Sequence, residues 1–272
     1  MSGIDLLDKS ALIHELEANL WEMWSTFGCG PGCAIHDEGN ALWIENPIPI
    51  IPYNGILKFQ VERNINQRID KIVRHYQRRG VEFMWIVHPS SLPPDIPTRL
   101  RARKLQEVEL IPGMVRSLKV LPEPPPLPKG IEVRKFMGES DAEEYYDFVS
   151  WRWGVPEKYH QQLTSTVAKF RFGEPGSKAH MWQAYRDDCP IAKAGMYLTA
   201  GSVGIYAVVT KPEARRMGLA SILTLTALKA ARELDKSLAV LHSTPMAESL
   251  YRSLGFETIA HFRLFASVER HI

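Results

Sequence analysis

Val208-Val-Thr-Lys-Pro-Glu-Ala-Arg-Arg-Met-Gly-Leu-Ala-Ser221 joins an apolar strand, Val203 to Thr210, to a long helix rich in Leu, Ala and Ile from Leu219 to Leu234. Gly218 and Ala220 stand two residues apart where the helix begins, and small residues there let backbone N–H groups converge on an anion. The unpaired N–H groups of the first helical turn add a partial positive charge. Arg215 and Arg216 put full charges beside them. Such a loop suits a pyrophosphate. It is not a Walker loop, since no Lys-Ser or Lys-Thr follows the glycine, and no Gly-x-Gly-x-x-Gly marks a dinucleotide fold. The plain alternative is a strand–loop–helix connection whose arginines are merely solvated.

The flanking sequence sets this loop in a mixed sheet. Ile131 to Phe136 alternates as a strand, Asp141 to Val149 reads as a helix, and a second helix is expected between Pro156 and Phe172. His180 to Tyr185 and Ile191 to Leu198 are strands around the turn at Asp187-Asp188-Cys189-Pro190, and Gly201 turns the chain into Val203 to Thr210. After the long helix come a short strand, Leu238 to Leu241, a helix from Met246 to Leu254 stopped by Gly255, and one or two strands from Phe256. The order is β-α-α-β-β-β-α-β-α-β. It predicts an α/β (mixed α+β) fold, a central mixed sheet flanked by helices.

Upstream, Leu121-Pro-Glu-Pro-Pro-Pro-Leu-Pro-Lys-Gly130 admits neither a helix nor a central strand and reads as an extended linker over residues 121–130. It implies a domain at 1–120 and another at 131–272, both of ordinary size. The earlier part repeats the pattern of the later one. Ala41 to Glu45 and Gly55 to Val61 are strands, Ile65 to Arg79 is an amphipathic helix stopped by Gly80, and Val81 to Val87 is a buried strand. Ile96 to Lys104 is a helix and Gln106 to Ile111 a strand. Arg99-Leu-Arg-Ala-Arg-Lys-Leu-Gln-Glu-Val108 lies over Leu250-Tyr-Arg-Ser-Leu-Gly-Phe-Glu-Thr-Ile259 without a gap, which points to a tandem repeat of one fold.

Arg-x-x-Gly-x-Ala after a strand ending in Val-x-x-Pro resembles the pyrophosphate-binding motif of the GNAT superfamily of acyl-CoA-dependent N-acyltransferases. Ala247-Glu-Ser-Leu-Tyr-Arg-Ser-Leu-Gly-Phe256 is similar to that superfamily's second motif, Leu-Tyr-x-x-x-Gly-Phe. The resemblance covers roughly 131–268 and implies tandem GNAT-like domains of which the second binds acetyl-CoA. It assigns the pyrophosphate to Arg215, Arg216, Met217, Gly218, Leu219, Ala220 and Ser221, and the pantetheine to Val208, Val209 and Thr210. Tyr251 would be the catalytic acid, a role for which a phenol with a pKa of ~10 suits a departing thiolate. Its plain reading is a core aromatic at a helix end.

Two positions depart from the superfamily's pattern. Thr244 replaces an asparagine often found seven residues before the tyrosine, and Gly204-Ile-Tyr-Ala207 offers no glutamate to act as base. Tyr206, His180 and His242 are the polar groups available, and none is assigned. The first half has Leu100 where the second has Tyr251, and Val61-Glu-Arg-Asn-Ile65, without glycine, where the second has its loop. It is therefore expected to be a degenerate copy that binds no CoA and helps wall the acceptor pocket.

Composition excludes other classes. Thirty-three Lys and Arg against 31 Asp and Glu give +2, which calls for neither nucleic acid nor an anionic membrane. No apolar run approaches the ~20 residues of a span, the opening MSGIDLLDKS lacks a basic patch, and three cysteines make no disulfide framework. A cytoplasmic protein is expected. Cys29-Gly-Pro-Gly-Cys33 with His36 lacks an obvious fourth ligand, and Gly-Pro-Gly is first a turn, so no metal is expected. Trp21, Met23, Trp24 and Phe27 read as a helix face, and Arg99, Arg101, Arg103 and Lys104 as a solvated basic one. The leading expectation is acetyl transfer from acetyl-CoA to a primary amine on a small molecule. A non-catalytic CoA-binding module and a modifier of protein amines are the alternatives.

Overall fold

The computed structural model describes residues 8–267, apart from the side chains of residues 139, 140, 142, 143 and 147. Residues 1–7 of the opening stretch and position 268, the end of the resemblance, lie outside the described residues. In chain order the elements begin with α1 (Lys9–Ser25), β1 (Ala34–Asp37), β2 (Ala41–Glu45), β3 (Gly55–Phe59), α2 (Ile65–Arg79), β4 (Met84–Val87), α3 (Ile96–Arg101) and β5 (Gln106–Ser117). After the proline run follow β6 (Ile131–Lys135), α4 (Ala142–Trp153), α5 (His160–Val167), β7 (Ala179–Arg186), β8 (Cys189–Leu198) and β9 (Val203–Thr210). The chain closes with α6 (Leu219–Glu233), β10 (Leu238–His242), α7 (Glu248–Ser253) and β11 (Glu257–Ala266).

The chain forms two compact units, and these do not follow the division at 121–130 expected from the proline run. The loop unit, which holds Val208–Ser221, comprises Met1–Asn19, Pro112–Phe148 and Phe170–Ile259. The companion unit comprises Leu20–Ile111, Val149–Lys169 and Ala260–Ile272. Each borrows its last strand from the other side of the linker. In the loop unit β10 pairs antiparallel with the end of β5, from Leu238↔Ser117 to His242↔Gly113. In the companion unit β4 pairs antiparallel with the end of β11, from Arg263↔Val87 to Ala266↔Met84. Proline excludes a helix or central strand locally, but it places no restriction on which strand edge a later segment covers.

The strands of each unit follow one plan. In the loop unit, order β5-β10-β9-β8-β7-β6, the strands β6 to β9 form an antiparallel meander and β9 pairs parallel with β10 across the α6 crossover. In the companion unit, order β1-β2-β3-β4-β11, the strands β1 to β3 form the meander and β3 pairs parallel with β4 across α2. The apolar stripe of α6, including Ile222 and Leu223, packs on Ala192 and Ala194 of β8, whose small side chains bring helix and sheet together. Along β9, Val203 and Ile205 join Leu225 and Leu228 of α6 and Leu241 of β10 in one core. Gly204 and Tyr206 alternate to the opposite face.

Candidate functional site

The predicted loop has the geometry of an anion cradle. Gly218 caps α6 at φ 76, ψ 3, and a Cβ placed there would meet no protein atom within 4 Å, so the space belongs to whatever approaches the helix start. The first intrahelical bond runs from Ile222 N to Gly218 O, which leaves the N–H groups of Leu219, Ala220 and Ser221 without a helical acceptor. Arg215 and Arg216 are exposed, with Arg216 held at φ 62. Among the described residues, neither forms an ion pair. The motif's charges and donors are thus uncommitted.

The strand leading into the loop parts from its neighbour. Parallel pairing of β9 with β10 runs from Val203↔Ala239 to Ile205↔Leu241 and stops there. On its other edge β9 carries one extra residue against β8, with Lys193 opposite Val209 but Gly195 opposite Tyr206. Ala207 absorbs that bulge at φ 53, a left-handed conformation costly for any residue with a Cβ. The bend comes two residues after Ile205, the last residue of β9 paired with β10. Among the described residues, Tyr206 to Thr210 have no register partner on β10, so that edge of Val208, Val209 and Thr210 can receive a chain carrying amide groups.

Tyr251 sits on α7 at 7% exposure, within the core formed by Leu225, Leu241, Leu254 and Phe256, with its ring edge-on to Phe256 at 5.9 Å. Burial pushes its hydroxyl up to about 12. The proton therefore stays on at neutral pH.

The opposite face of the parting strands is covered by α1, from the start of the chain. Asn19, fully buried, receives the Tyr206 hydroxyl on Oδ1 at 2.8 Å, and its Nδ2 donates to Tyr197 O, Thr199 Oγ1 and Ser202 Oγ at 3.2–3.3 Å. Gly204 permits this approach, since a Cβ there would lie 2.1 Å from Asn19 Oδ1 and 2.3 Å from the Tyr206 ring. Glu17 is also buried, at 2%. His242 ends β10, and burial pulls its imidazole down to about 3 while the Glu17 carboxylate opposes that shift. Of the three candidate bases, Tyr206 and His242 flank the point of parting. His180 does not, since it lies on β7 opposite Met196 and near Trp182 at 6.4 Å. Burial and the nearby Lys135 lower its pKa.

Sequence reading missed Glu17, Asn19 and Lys193. Lys193 is 4% exposed, with Nζ 4.4 Å from the Tyr145 ring centroid and 5.2 Å from that of Phe148, and burial lowers it to about 7. The signal was present, a lysine inside the apolar run Ile191-Ala-Lys-Ala-Gly-Met196.

At the corresponding place in the companion unit the strand edge is occupied. Pairing of β3 with β4 covers Gly55↔Met84 and Ile56↔Trp85, and the chain after β4 then folds back over β3. His88 Nε2 accepts from Phe59 N at 3.3 Å, Leu92 N donates to Phe59 O at 3.0 Å, and Gln60 Nε2 donates to Ser90 Oγ at 2.8 Å. The helix start keeps the left-handed cap, but as Asn64 at φ 53.

The remaining candidates have local roles. His36 stacks on Trp43 at 3.6 Å and bonds Glu45, while Cys29 and Cys33 contact the carbonyls of Ser25 and Pro31. Among the described residues, no group of three or more His, Cys, Asp or Glu is placed to hold a metal, and no helix is long and apolar enough to cross a membrane. Arg99 and Arg103 of the basic face pair with Asp95 and Asp70 at 2.9 and 2.6 Å, and Arg101 pairs with Glu107. Trp21 meets His88 edge-on at 5.3 Å, and Met23 is buried.

The same architecture recurs in solved structures. A GCN5-related N-acetyltransferase from Kribbella flavida superposes with a TM-score of 0.68 at 15% identity, over 95% of this chain and 96% of that one. A tandem GNAT protein from the clavulanic acid biosynthesis pathway gives 0.62 at 14% identity, over 91% and 87%. A GCN5-related N-acetyltransferase from Sphaerobacter thermophilus gives 0.59 at 18%, over 86% and 75%. At these identities the likeness concerns the fold. No curated protein matches the chain in sequence. The family model for Acetyltransferase (GNAT) family matches residues 143–256, a span that includes the bulged strand, the cradle and Tyr251. Residues 143–256 are thus similar to the GNAT acetyltransferase family, and the fold is that of the acetyltransferase structures above.

Proposed function

We propose that the protein is an N-acetyltransferase that moves an acetyl group from acetyl-CoA to a primary amine of a small molecule. The observation that carries this reading is the parting of β9 from β10 beyond Ile205 and Leu241, leading straight into the open helix start at Gly218. A ligand with a flexible amide-bearing arm and a pyrophosphate fits both features. Bound there, acetyl-CoA would supply an activated acyl group. Gly218 to Ser221 would hold the pyrophosphate with their N–H groups and Arg215, Arg216 and Met217 would border it. Val208, Val209 and Thr210 would bond the pantetheine along their unpaired edge, and Tyr251, protonated at neutral pH, would donate to the departing thiolate.

The companion unit is read as a degenerate copy. Phe59 spends its N–H and C=O on His88 and Leu92, where a pantetheine would need them, and Asn64 carries a side chain where the cradle has glycine. The CoA site is thus assigned to residues 131–272, and neither a metal nor a nucleic acid takes part. Three free cysteines suit a reducing cytoplasm.

Calorimetric titration with acetyl-CoA, followed by a panel of small amines and lysine peptides read by thiol release, tests the reading. One CoA per chain and turnover of a small amine are expected. Binding without turnover would favour the non-catalytic module, turnover of peptides alone would favour protein amines, and no binding would remove the assignment.

A further inference from the structure

We infer that Arg186, at the end of β7, is a third arginine of the phosphate site and binds a phosphoryl group of the acyl-CoA. The inference rests on the acetyl-CoA reading above. It adds to that reading a residue 31 positions before Met217, its contact in the loop.

Strand register aims Arg186 at the helix start. The turn Asp187-Asp188, at φ 48 and 60, is the left-handed pair that closes a tight hairpin, and Arg186 stands opposite Cys189 across it. β8 runs antiparallel to β9 with Ala192 opposite Thr210, and Lys211 N donates to Ile191 O at 2.8 Å. The hairpin end and the phosphate loop therefore lie at one end of the sheet. Alternate residues of a strand share a face. Ala184 packs with Leu219 and Ile222 beneath the first turn of α6, and Met217 packs against the same core. Arg186 is two residues nearer the sheet end on that face, beyond the core. Its Nη2 donates to Met217 Sδ at 3.0 Å.

That contact leaves the charge unanswered. A thioether is a weak acceptor and carries no negative charge. The carboxylates of Glu132 and Asp188 are taken by Arg134, the second at 2.6 Å. Among the described residues, neither Asp187, next in the chain, nor Glu213 of the loop pairs with Arg186, Arg215 or Arg216. Three guanidinium groups from two segments thus gather around a helix start whose N–H groups also lack acceptors, with no protein anion among them. Like charges held together repel, and a bound anion relieves that repulsion.

A phosphoryl group is the anion that fits. The planar guanidinium fork matches its oxygens two at a time. Arg186 is half-buried, whereas Arg215 and Arg216 are exposed, so it has less rotamer freedom to lose when a ligand arrives. Acetyl-CoA offers phosphoryl oxygens in its pyrophosphate and in its 3′-phosphate. The recognition chemistry is the same for both, and a donor lacking the 3′-phosphate tells them apart.

Calorimetric titration with acetyl-CoA at low and high salt tests the assignment on two variants. Arg186→Met keeps the packing stem and removes the charge, and Arg186→Lys keeps the charge without the fork. Arg186→Met should bind acetyl-CoA about 10–100-fold more weakly at low salt, and its affinity should fall less steeply with added salt than that of wild type. Arg186→Lys should lose less and keep the wild-type salt dependence. With 3′-dephospho-acetyl-CoA, equal binding by wild type and Arg186→Met assigns the 3′-phosphate to Arg186, and a persisting loss assigns the pyrophosphate. Affinity of Arg186→Met for acetyl-CoA within threefold of wild type, or a loss with unchanged salt dependence, would overturn the inference while leaving the loop assignment intact. A wild type that binds no acetyl-CoA would remove the donor site itself, and Arg186 with it.

Discussion

The Tyr206 hydroxyl donates to Asn19 Oδ1 at 2.8 Å, joining residues on opposite sides of the proline run. The strand that leads into the cradle is thereby braced by a helix from the beginning of the chain. The β5–β10 ladder makes a second connection of the same kind within the loop unit.

Cutting the linker should therefore not release the halves. Lys129 is exposed and followed by Gly130, so brief trypsin treatment should yield fragments ending at 129 and beginning at 130. They should co-elute on native size exclusion and separate only in denaturant. Separation under native conditions would contradict the exchange of segments.

Gly218→Val puts side-chain atoms into space now open, at a φ of 76 that a β-branched residue resists. The backbone strain should cost roughly 1–2 kcal/mol of stability, visible as a modest drop in Tm. Acetyl-CoA affinity should fall by about tenfold or more, ~1.4 kcal/mol per decade. Unchanged calorimetric binding would refute the cradle.

For Tyr251→Phe the ring and its packing on Phe256 remain and only the donor is lost. The expected loss is roughly 10²–10⁴-fold in kcat, about 2.7–5.4 kcal/mol of barrier, with KM for acetyl-CoA nearly unchanged. Because burial raises the hydroxyl to about 12, wild-type activity should show no loss attributable to its ionisation below pH 10. A variant within threefold of wild type would eliminate the acid role.

Lys193 predicts a pH-dependent stability. Burial lowers its pKa to about 7, whereas an unfolded lysine titrates near ~10.4. Between those values the unfolded chain binds more protons, so this group makes stability rise with pH from about 7 to about 10. Below pH 7 the burial penalty is fully present. Lys193→Met should therefore stabilise the protein by a few kcal/mol at neutral pH, at about 1.36 kcal/mol per unit, and flatten that rise. Urea unfolding at pH 6.5 and pH 9 reads both effects. A variant as pH-dependent as wild type would show that Lys193 keeps its charge in the fold.

What the sequence discloses here is whatever local chemistry determines. Val203–Thr210, the turn at Gly218 and the helix from Leu219 follow from an apolar run, a small residue and a Leu/Ala stripe, and all three stand where they were read. The helix Ile65–Arg79 likewise ends at Gly80. By contrast, the part of α1 before Trp21 escaped notice because its buried face includes Glu17 and Asn19, which look like solvent-facing residues until their partners are known. The same holds for β5, read as ending at Ile111 but continuing to Ser117 through Pro112 and Gly113. The segment that pairs with β10 begins where two strand-breaking residues stand. Long-range pairing overrode local propensity there.

The exchange of strands also dictates when the protein can finish folding during synthesis. The companion unit uses residues from Leu20 to Ile111 but needs Ala260–Ala266 to complete its sheet, while the loop unit needs residues up to Ile259. A nascent chain that has left the ribosome through the proline run thus holds two unfinished pieces, with the edges of β4 and of the β5 end both uncovered. Exposed strand edges invite pairing with other chains. The strands β10 and β11, made only after the proline run has passed, are the ones that remove that hazard.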